Sequence, residues 1–124
     1  MIYILINAWP IAIAALTSVG IGALWYRRAV PTSTLVTLLL AQAWLAAILA
    51  GALILAPPKG GIWTMTLGSA FVIWIGFVLP VIAASHRLHM QPWKMVGIDA
   101  GYWLVTMLTQ AVLMRIIGLT PPPV

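Results

Sequence analysis

The chain has no cysteine and a single acidic residue among its 124 residues, against six lysines and arginines. The lack of cysteine excludes disulfides, thiolate nucleophiles and thiolate metal sites. Charged residues make up 6% of the sequence, whereas a soluble domain carries about 25%. So few charges cannot cover a surface that faces water, and the composition excludes a soluble globular domain and a disordered tail.

Long apolar runs take the place of charge, since 64% of the residues are hydrophobic. Four runs occupy residues 2–26, 34–56, 62–84 and 95–117, and a helix needs about 20 apolar residues to cross a bilayer. Open strand edges cannot sit in lipid, and the runs lack the alternation of barrel strands. We therefore predict one all-α membrane domain over residues 1–124, an antiparallel bundle of four transmembrane helices with short connections.

The basic residues stand at the ends of these runs. A net charge of +5 could indicate nucleic acid in a soluble domain, but no basic stripe is present and we expect no nucleic-acid partner. One predicted side of the membrane holds Arg27, Arg28, Arg87 and Lys94, and the other holds Lys59 and Arg115. Basic connections stay in the cytoplasm, so we expect a multi-pass protein of the bacterial cytoplasmic membrane with both chain termini outside, in the periplasm.

Small residues recur at four-residue spacing in three of the runs. Such spacing lines one face of a helix and lets helix backbones approach in lipid. The three sets are Ala14, Ser18 and Gly22; Ala43, Ala47 and Gly51; and Gly97 and Gly101. We interpret them as packing faces within the chain, with docking to another protein as the alternative. Pro10 and Pro80 predict kinks in the first and third helices.

Two of the seven tryptophans, Trp44 and Trp74, fall near the middle of their runs. An indole N–H at that depth needs a hydrogen-bond partner. Core packing or lipid contact is the simpler interpretation. The alternative is a flat apolar ligand, such as a quinone or a pigment, stacked between the two rings.

Asp99 is the single acid, and it lies about one turn inside the fourth helix. A carboxylate at membrane depth is costly and is normally paired or functional. Tyr102, Thr106 and Gln110 follow it along one helix face, while Gly97 and Gly101 lie on the opposite face. The sequence therefore predicts an intramembrane polar stripe headed by Asp99.

The end of the first helix lies on the same side of the membrane as Asp99. This places the segment Trp25-Tyr26-Arg27-Arg28 at the depth of the carboxylate. We expect an ion pair from Asp99 to Arg27 or Arg28, because such a pair would offset the cost of burying the acid. Alternative partners are His86, Arg87 and Lys94.

Metal and catalytic sites are not expected. His86 and His89 are three residues apart in a connection, and with Asp99 they could supply metal ligands in principle, but interfacial histidines are the simpler interpretation. The sequence has no carboxylate pair, Gly-x-Ser-x-Gly elbow or phosphate loop. We expect neither an enzyme nor a cofactor.

Two short motifs resemble a known family. The run Gly22-Ala23-Leu24-Trp25-Tyr26 and the run Asp99-Ala100-Gly101-Tyr102 are similar to those of the bacterial domain of unknown function 1761 family, whose members are small four-helix membrane proteins. The resemblance implies that Trp25, Tyr26, Asp99, Gly101 and Tyr102 form a shared feature, but it implies no activity. Family members usually follow the Trp-Tyr pair with a small residue and proline, whereas this chain has Arg27-Arg28.

These observations favour a non-catalytic membrane protein, an accessory or scaffold subunit of a larger assembly, whose partners are the lipid bilayer and other membrane proteins or further copies of itself. The alternative is a small carrier or binding protein for an apolar or cationic ligand, using Asp99 and the polar stripe. An intramembrane enzyme is the third hypothesis.

Overall fold

The computed structural model describes residues 2–57 and 60–123. Within them the chain forms helices and no strand: α1 (Ile2–Ile6), α2 (Ala8–Tyr26), α3 (Thr32–Leu55), α4 (Ile62–Ile73), a π-helical turn (Trp74–Val78), α5 (Leu79–Leu88) and α6 (Trp93–Ile117). Four of the described helical segments are long and apolar enough to span a membrane: Ala8–Tyr26, Thr32–Leu55, Ile62–Leu88 and Trp93–Ile117. These are called the first to fourth spans below, and the predicted all-α membrane fold is confirmed.

The first span has a separate lead-in helix. Instead of one helix over residues 2–26, the chain breaks at Asn7 between α1 and α2. Pro10 has no N–H to donate to the carbonyl of Ile6, so the helical ladder loses a bond next to the break. The break turns Asn7 inward, where its side chain is buried.

The third span widens just before its proline. The π-helical turn Trp74–Val78 separates α4 from α5, and Pro80 follows two residues after it. A proline ring clashes with the carbonyl four residues earlier, here that of Gly76, and a wider turn relieves that clash. The third and fourth spans also extend further than predicted, ending at Leu88 and beginning at Trp93, respectively.

Small residues dominate the core between the spans. Its buried members are Ile11, Ala14, Ala46, Ala47, Leu49, Ala50, Leu53, Ala70, Met107, Ala111 and Met114. Six of these eleven residues are alanines that bring backbones close, and the larger leucines and methionines fill the spaces left between them.

The predicted packing faces are used unevenly. Ala14, Ser18 and Gly22 are buried. At Gly51 a Cβ atom would lie 2.8 Å from the hydroxyl of Tyr3, which donates to the carbonyl of Ala47 over 3.0 Å. The second face therefore receives the lead-in helix.

Ala43 on the same face is half-buried. The face of α6 with Gly97 and Gly101 is not one smooth surface: Gly101 packs on the ring of Trp25, and Gly97 is exposed with open space around it.

Candidate functional site

Asp99 is held by two side chains from two other spans. Tyr26, the last residue of α2, donates its phenol proton to Oδ1 of Asp99 over 2.6 Å. His86 of α5 places Nε2 2.5 Å from Oδ2, forming an ion pair when the imidazole is protonated. Asp99 is 22% exposed and His86 is 23% exposed. Both oxygens of the carboxylate therefore have a partner, which offsets its cost at this depth.

The expected ion pair between Asp99 and Arg27 or Arg28 is wrong. Among the described residues, the basic partner of Asp99 is His86, one of the predicted alternatives. The physical reason lies in the backbone at Arg27, which takes a left-handed conformation with φ 49° and ends the helix. The chain leaves α2 at this point, so Tyr26 is the last side chain that the helix directs at the carboxylate.

The two short motifs meet in one cluster. Trp25 packs on Gly101, and the ring of Tyr26 meets that of Tyr102 edge to face with centroids 5.4 Å apart. A Cβ atom at Gly22 would lie 3.0 Å from the hydroxyl of Tyr102. Glycine at position 22 therefore allows the close approach of α2 and α6. We call Trp25, Tyr26, His86, Asp99 and Tyr102 the carboxylate cluster.

A second polar group lies deeper in the bundle and joins three spans. Tyr102 donates to the carbonyl of Ser18 over 2.9 Å and accepts from Nε2 of Gln42 over 3.0 Å. Nε2 of Gln110 donates to Oγ of Ser18 and to Oε1 of Gln42, both over 2.8 Å. All four side chains are buried. We call Ser18, Gln42, Tyr102 and Gln110 the core amide network.

Most side chains of the predicted polar stripe therefore form hydrogen bonds inside the bundle. Tyr102 and Gln110 are bonded to the first and second spans. Oγ1 of Thr106 and Oε1 of Gln110 are buried without a partner among the described residues. Gln42 was not singled out from the sequence, although a glutamine inside an apolar run is a costly residue that needs partners in lipid.

The two mid-run tryptophans do not stack on each other. The indole of Trp74 donates to the carbonyl of Ala100 over 2.9 Å and lies beside Phe71. Trp44 is 60% exposed on the outer face of α3. The idea of a flat ligand held between these two rings is therefore wrong, since one ring packs inside and the other faces lipid.

Two other ionisable side chains near this end of the bundle have partners outside the carboxylate cluster. His89 is exposed, and Nδ1 lies 2.7 Å from the carbonyl of Ser85. The guanidinium of Arg87 lies 5.0 Å from the centre of the Trp93 ring, in a cation–π contact. No group of three potential metal ligands occurs within residues 2–57 and 60–123.

The opposite end of the bundle is fixed by Asn7 and Arg115. The Asn7 amide donates to the carbonyl of Thr120 over 2.8 Å, and its oxygen accepts from the Thr120 N–H over 2.7 Å. Arg115 donates to Oγ1 of Thr66 over 2.9 Å. Lys59, used with Arg115 in the orientation argument, lies outside the described residues.

Chemically, the carboxylate cluster can hold a charge and share a proton between Asp99 and His86. The carboxylate and the imidazole are two groups that can exchange a proton across this contact. Tyr26 occupies the other carboxylate oxygen, Oδ1.

The comparisons with known proteins agree with the motifs that meet in this cluster. The family described as "Protein of unknown function (DUF1761)" matches residues 9–115, which include both motifs and all four spans except the ends of the first and fourth. No curated protein and no solved structure matches the chain. The chain is a multi-pass membrane protein and belongs to the DUF1761 family of proteins of unknown function.

Proposed function

We propose that this protein is a non-catalytic accessory or scaffold subunit of a larger assembly in the bacterial cytoplasmic membrane. Its partner would be another membrane protein that packs against the third span. The basic residues at the Asp99 end of the bundle support an orientation with that end in the cytoplasm and both termini outside.

The observation that carries the proposal is the uneven burial of the four spans. In the most apolar stretch of the third span, Ile62–Leu88, 6% of the residues are buried, against 33–39% in the other three. The third span is therefore the least enclosed by its own chain. A partner helix on that side would bring its burial closer to that of the other spans.

Two glycines of the third span support a partner helix on the same side of the bundle. Gly22, Gly51 and Gly101 each contact an aromatic side chain of this chain, whereas Gly68 and Gly76, like Gly20 and Gly97 on the first and fourth spans, have no described atom within 4 Å of a Cβ position. Glycine in a helix interior costs about 1 kcal/mol relative to alanine. No contact among the described residues requires that cost at Gly68 and Gly76, and close approach by another helix would explain it.

A groove of about 470 Å³ lies beside Gly68, between α4 and α3. The small residues Thr64, Gly68 and Ser69 line it on α4 together with the larger Met65, Val72 and Ile73, and Ala52 contributes from α3. A two-fold dimer of this chain whose axis passes through the groove would place groove against groove. The shape therefore favours a ridge of large side chains on a different membrane protein as the occupant.

The alternative, a carrier that uses Asp99 and the polar stripe, has less support. Both oxygens of Asp99 are bonded, and Tyr102 and Gln110 bond to neighbouring spans. A transport path along this stripe would have to break those bonds. Non-catalytic packing is also consistent with the single acid–base pair.

The absence of cysteine makes the proposal testable in native membranes. A Gly68→Cys variant carrying a photoactivatable maleimide should crosslink to one heterologous membrane protein. The matched control is Leu67→Cys, which is at the same depth but outside the groove. The captured protein should also co-purify with the unmodified chain in mild detergent and be lost with Gly68→Leu.

Two outcomes would sink the proposal. One is crosslinking to lipid alone from both cysteine positions. The other is an adduct of twice the mass of the chain, which would make the partner a second copy.

A further inference from the structure

A separate cavity of about 250 Å³ lies at the Asp99 end of the bundle, between α2 and α3. Its walls include Val19 and Ala23 of α2 and Leu35 and Leu38 of α3. Val19 lies about two helical turns further into the bundle than Tyr26, where α2 ends. The cavity therefore extends from the end of the bundle along an apolar, partly open groove between α2 and α3, away from the groove on the third span.

The size and lining of the cavity fit a narrow apolar group. A cavity of about 150 Å³ with apolar walls holds a benzene molecule. Pockets for drug-sized ligands begin at about 300 Å³. This cavity is between the two, which fits a segment of one hydrocarbon chain better than a ring system such as a quinone.

The mouth of the cavity carries positive charge. Arg28 and Thr34 line it where the chain passes from α2 to α3, and both side chains are exposed. The single acidic side chain of the sequence, Asp99, is bonded to Tyr26 and His86. No side-chain carboxylate is therefore left to neutralise Arg28, and a guanidinium is well suited to bind phosphate.

We propose that this cavity holds one acyl chain of an anionic phospholipid from the surrounding bilayer, with the lipid phosphate at Arg28 and Thr34. The opening lies between two spans at a bundle end, so such a lipid reaches it without leaving the membrane. Basic pockets between transmembrane helices bind anionic headgroups in this way. A cationic amphiphile would instead meet the charge of Arg28 at the mouth.

Native mass spectrometry of the full chain in dodecyl maltoside tests the proposal. The protein is mixed with equimolar phosphatidylglycerol and phosphatidylcholine of identical acyl chains, and with oleate in a parallel sample. We expect one phosphatidylglycerol molecule to stay bound preferentially. Arg28→Gln should weaken its binding about fivefold, the effect of one basic residue at an anionic surface. Arg27→Gln is the matched control, because Arg27 is adjacent but does not line the cavity.

A second pair of variants tests the apolar part separately. Ala23→Leu places a larger side chain in the cavity and should abolish retention of the lipid. Ala12→Leu makes the same change on the exposed, lipid-facing side of α2 and should leave retention unchanged. Circular dichroism verifies that each variant keeps its helices.

Equal retention of both phospholipids, equal losses in the two arginine variants, or unchanged retention in Ala23→Leu would each overturn the proposal. Retention of oleate without phosphatidylglycerol would overturn the phospholipid as the source of the chain. None of these outcomes depends on the partner of the third span, so the two proposals can fail independently.

Discussion

Replacing Gln42 by leucine removes the side chain that joins the second span to the fourth through the core amide network. The amide of Gln42 makes two bonds, to the hydroxyl of Tyr102 over 3.0 Å and to Nε2 of Gln110 over 2.8 Å. A hydrogen bond between helices in a membrane contributes about 0.6 kcal/mol on average and up to about 1.7 kcal/mol. The loss of two such bonds should destabilise the protein by about 1.2 kcal/mol, with an upper bound of about 3.4 kcal/mol.

The structure places this value near the upper end. Tyr102 keeps its bond to the carbonyl of Ser18 when Gln42 is lost, whereas the NH2 group of Gln110 keeps its bond to Ser18 and loses the acceptor of its second N–H. A buried donor left unpaired costs about 1–3 kcal/mol. Leucine itself suits the apolar surroundings of α3.

The assay is reversible unfolding in mixed micelles with increasing sodium dodecyl sulfate, followed by tryptophan fluorescence and circular dichroism. Thr37→Val is the matched control in the same helix. The Thr37 hydroxyl is exposed and bonds only to the carbonyl of Ser33 one turn earlier. We expect this control to stay within about 0.5 kcal/mol of the unmodified protein.

A double-mutant cycle with Gln110→Leu isolates the bond between the two amides. Residues in one hydrogen-bond network couple by about 0.5 kcal/mol or more. Strict additivity of Gln42→Leu and Gln110→Leu, or a Gln42→Leu protein as stable as the Thr37→Val control, would refute an energetic role for the network.

Three further substitutions, one of them with a matched glycine control, test other contacts of the bundle. The first two are measured by thermal unfolding in detergent and the third by hydrogen exchange. Tyr26→Phe removes the phenol bond to Asp99 and should cost about 1 kcal/mol, reduced from the value of a buried charged bond by partial exposure; an unchanged midpoint would contradict the bond. Gly22→Ala should cost about 1–3 kcal/mol through overpacking, whereas Gly76→Ala, with open space around it, should be neutral or stabilising; equal effects would contradict the packing. Asn7→Ala should speed amide hydrogen exchange in the C-terminal tail, because the Asn7 side chain bonds to the backbone of Thr120. Unchanged exchange there would contradict a stabilising role for these two bonds.

The spans and the neighbourhood of Asp99 followed from hydropathy and chain connectivity. Lipid forces long apolar runs into helices, and short connections bring the end of one run to the level of the start of another. The meeting of Tyr26 with Asp99 was within reach of this reasoning. The identity of the ionic partner was not, because it depends on where the backbone leaves α2 at Arg27 and on how α5 is rotated.

Gln42 and Asn7 show what sequence patterns leave out. A polar residue in an apolar run indicates that a partner exists, because an unsatisfied amide in lipid is costly. It does not identify that partner, which depends on the rotation of each helix and on breaks such as the one at Asn7. The π-helical turn before Pro80 has the same character: proline predicts a distortion, but the surrounding packing decides its form.

The core amide network has a consequence for the order in which the bundle assembles. Ser18 and Gln42 lie in α2 and α3 and are synthesised before Tyr102 and Gln110, which lie in α6. The third span adds no side chain to this network. Two helices therefore enter the bilayer before the groups that bond their polar side chains have been synthesised. Closure of the core therefore requires the fourth span, and a chain truncated before it would leave both polar groups open to other helices or to quality-control proteases.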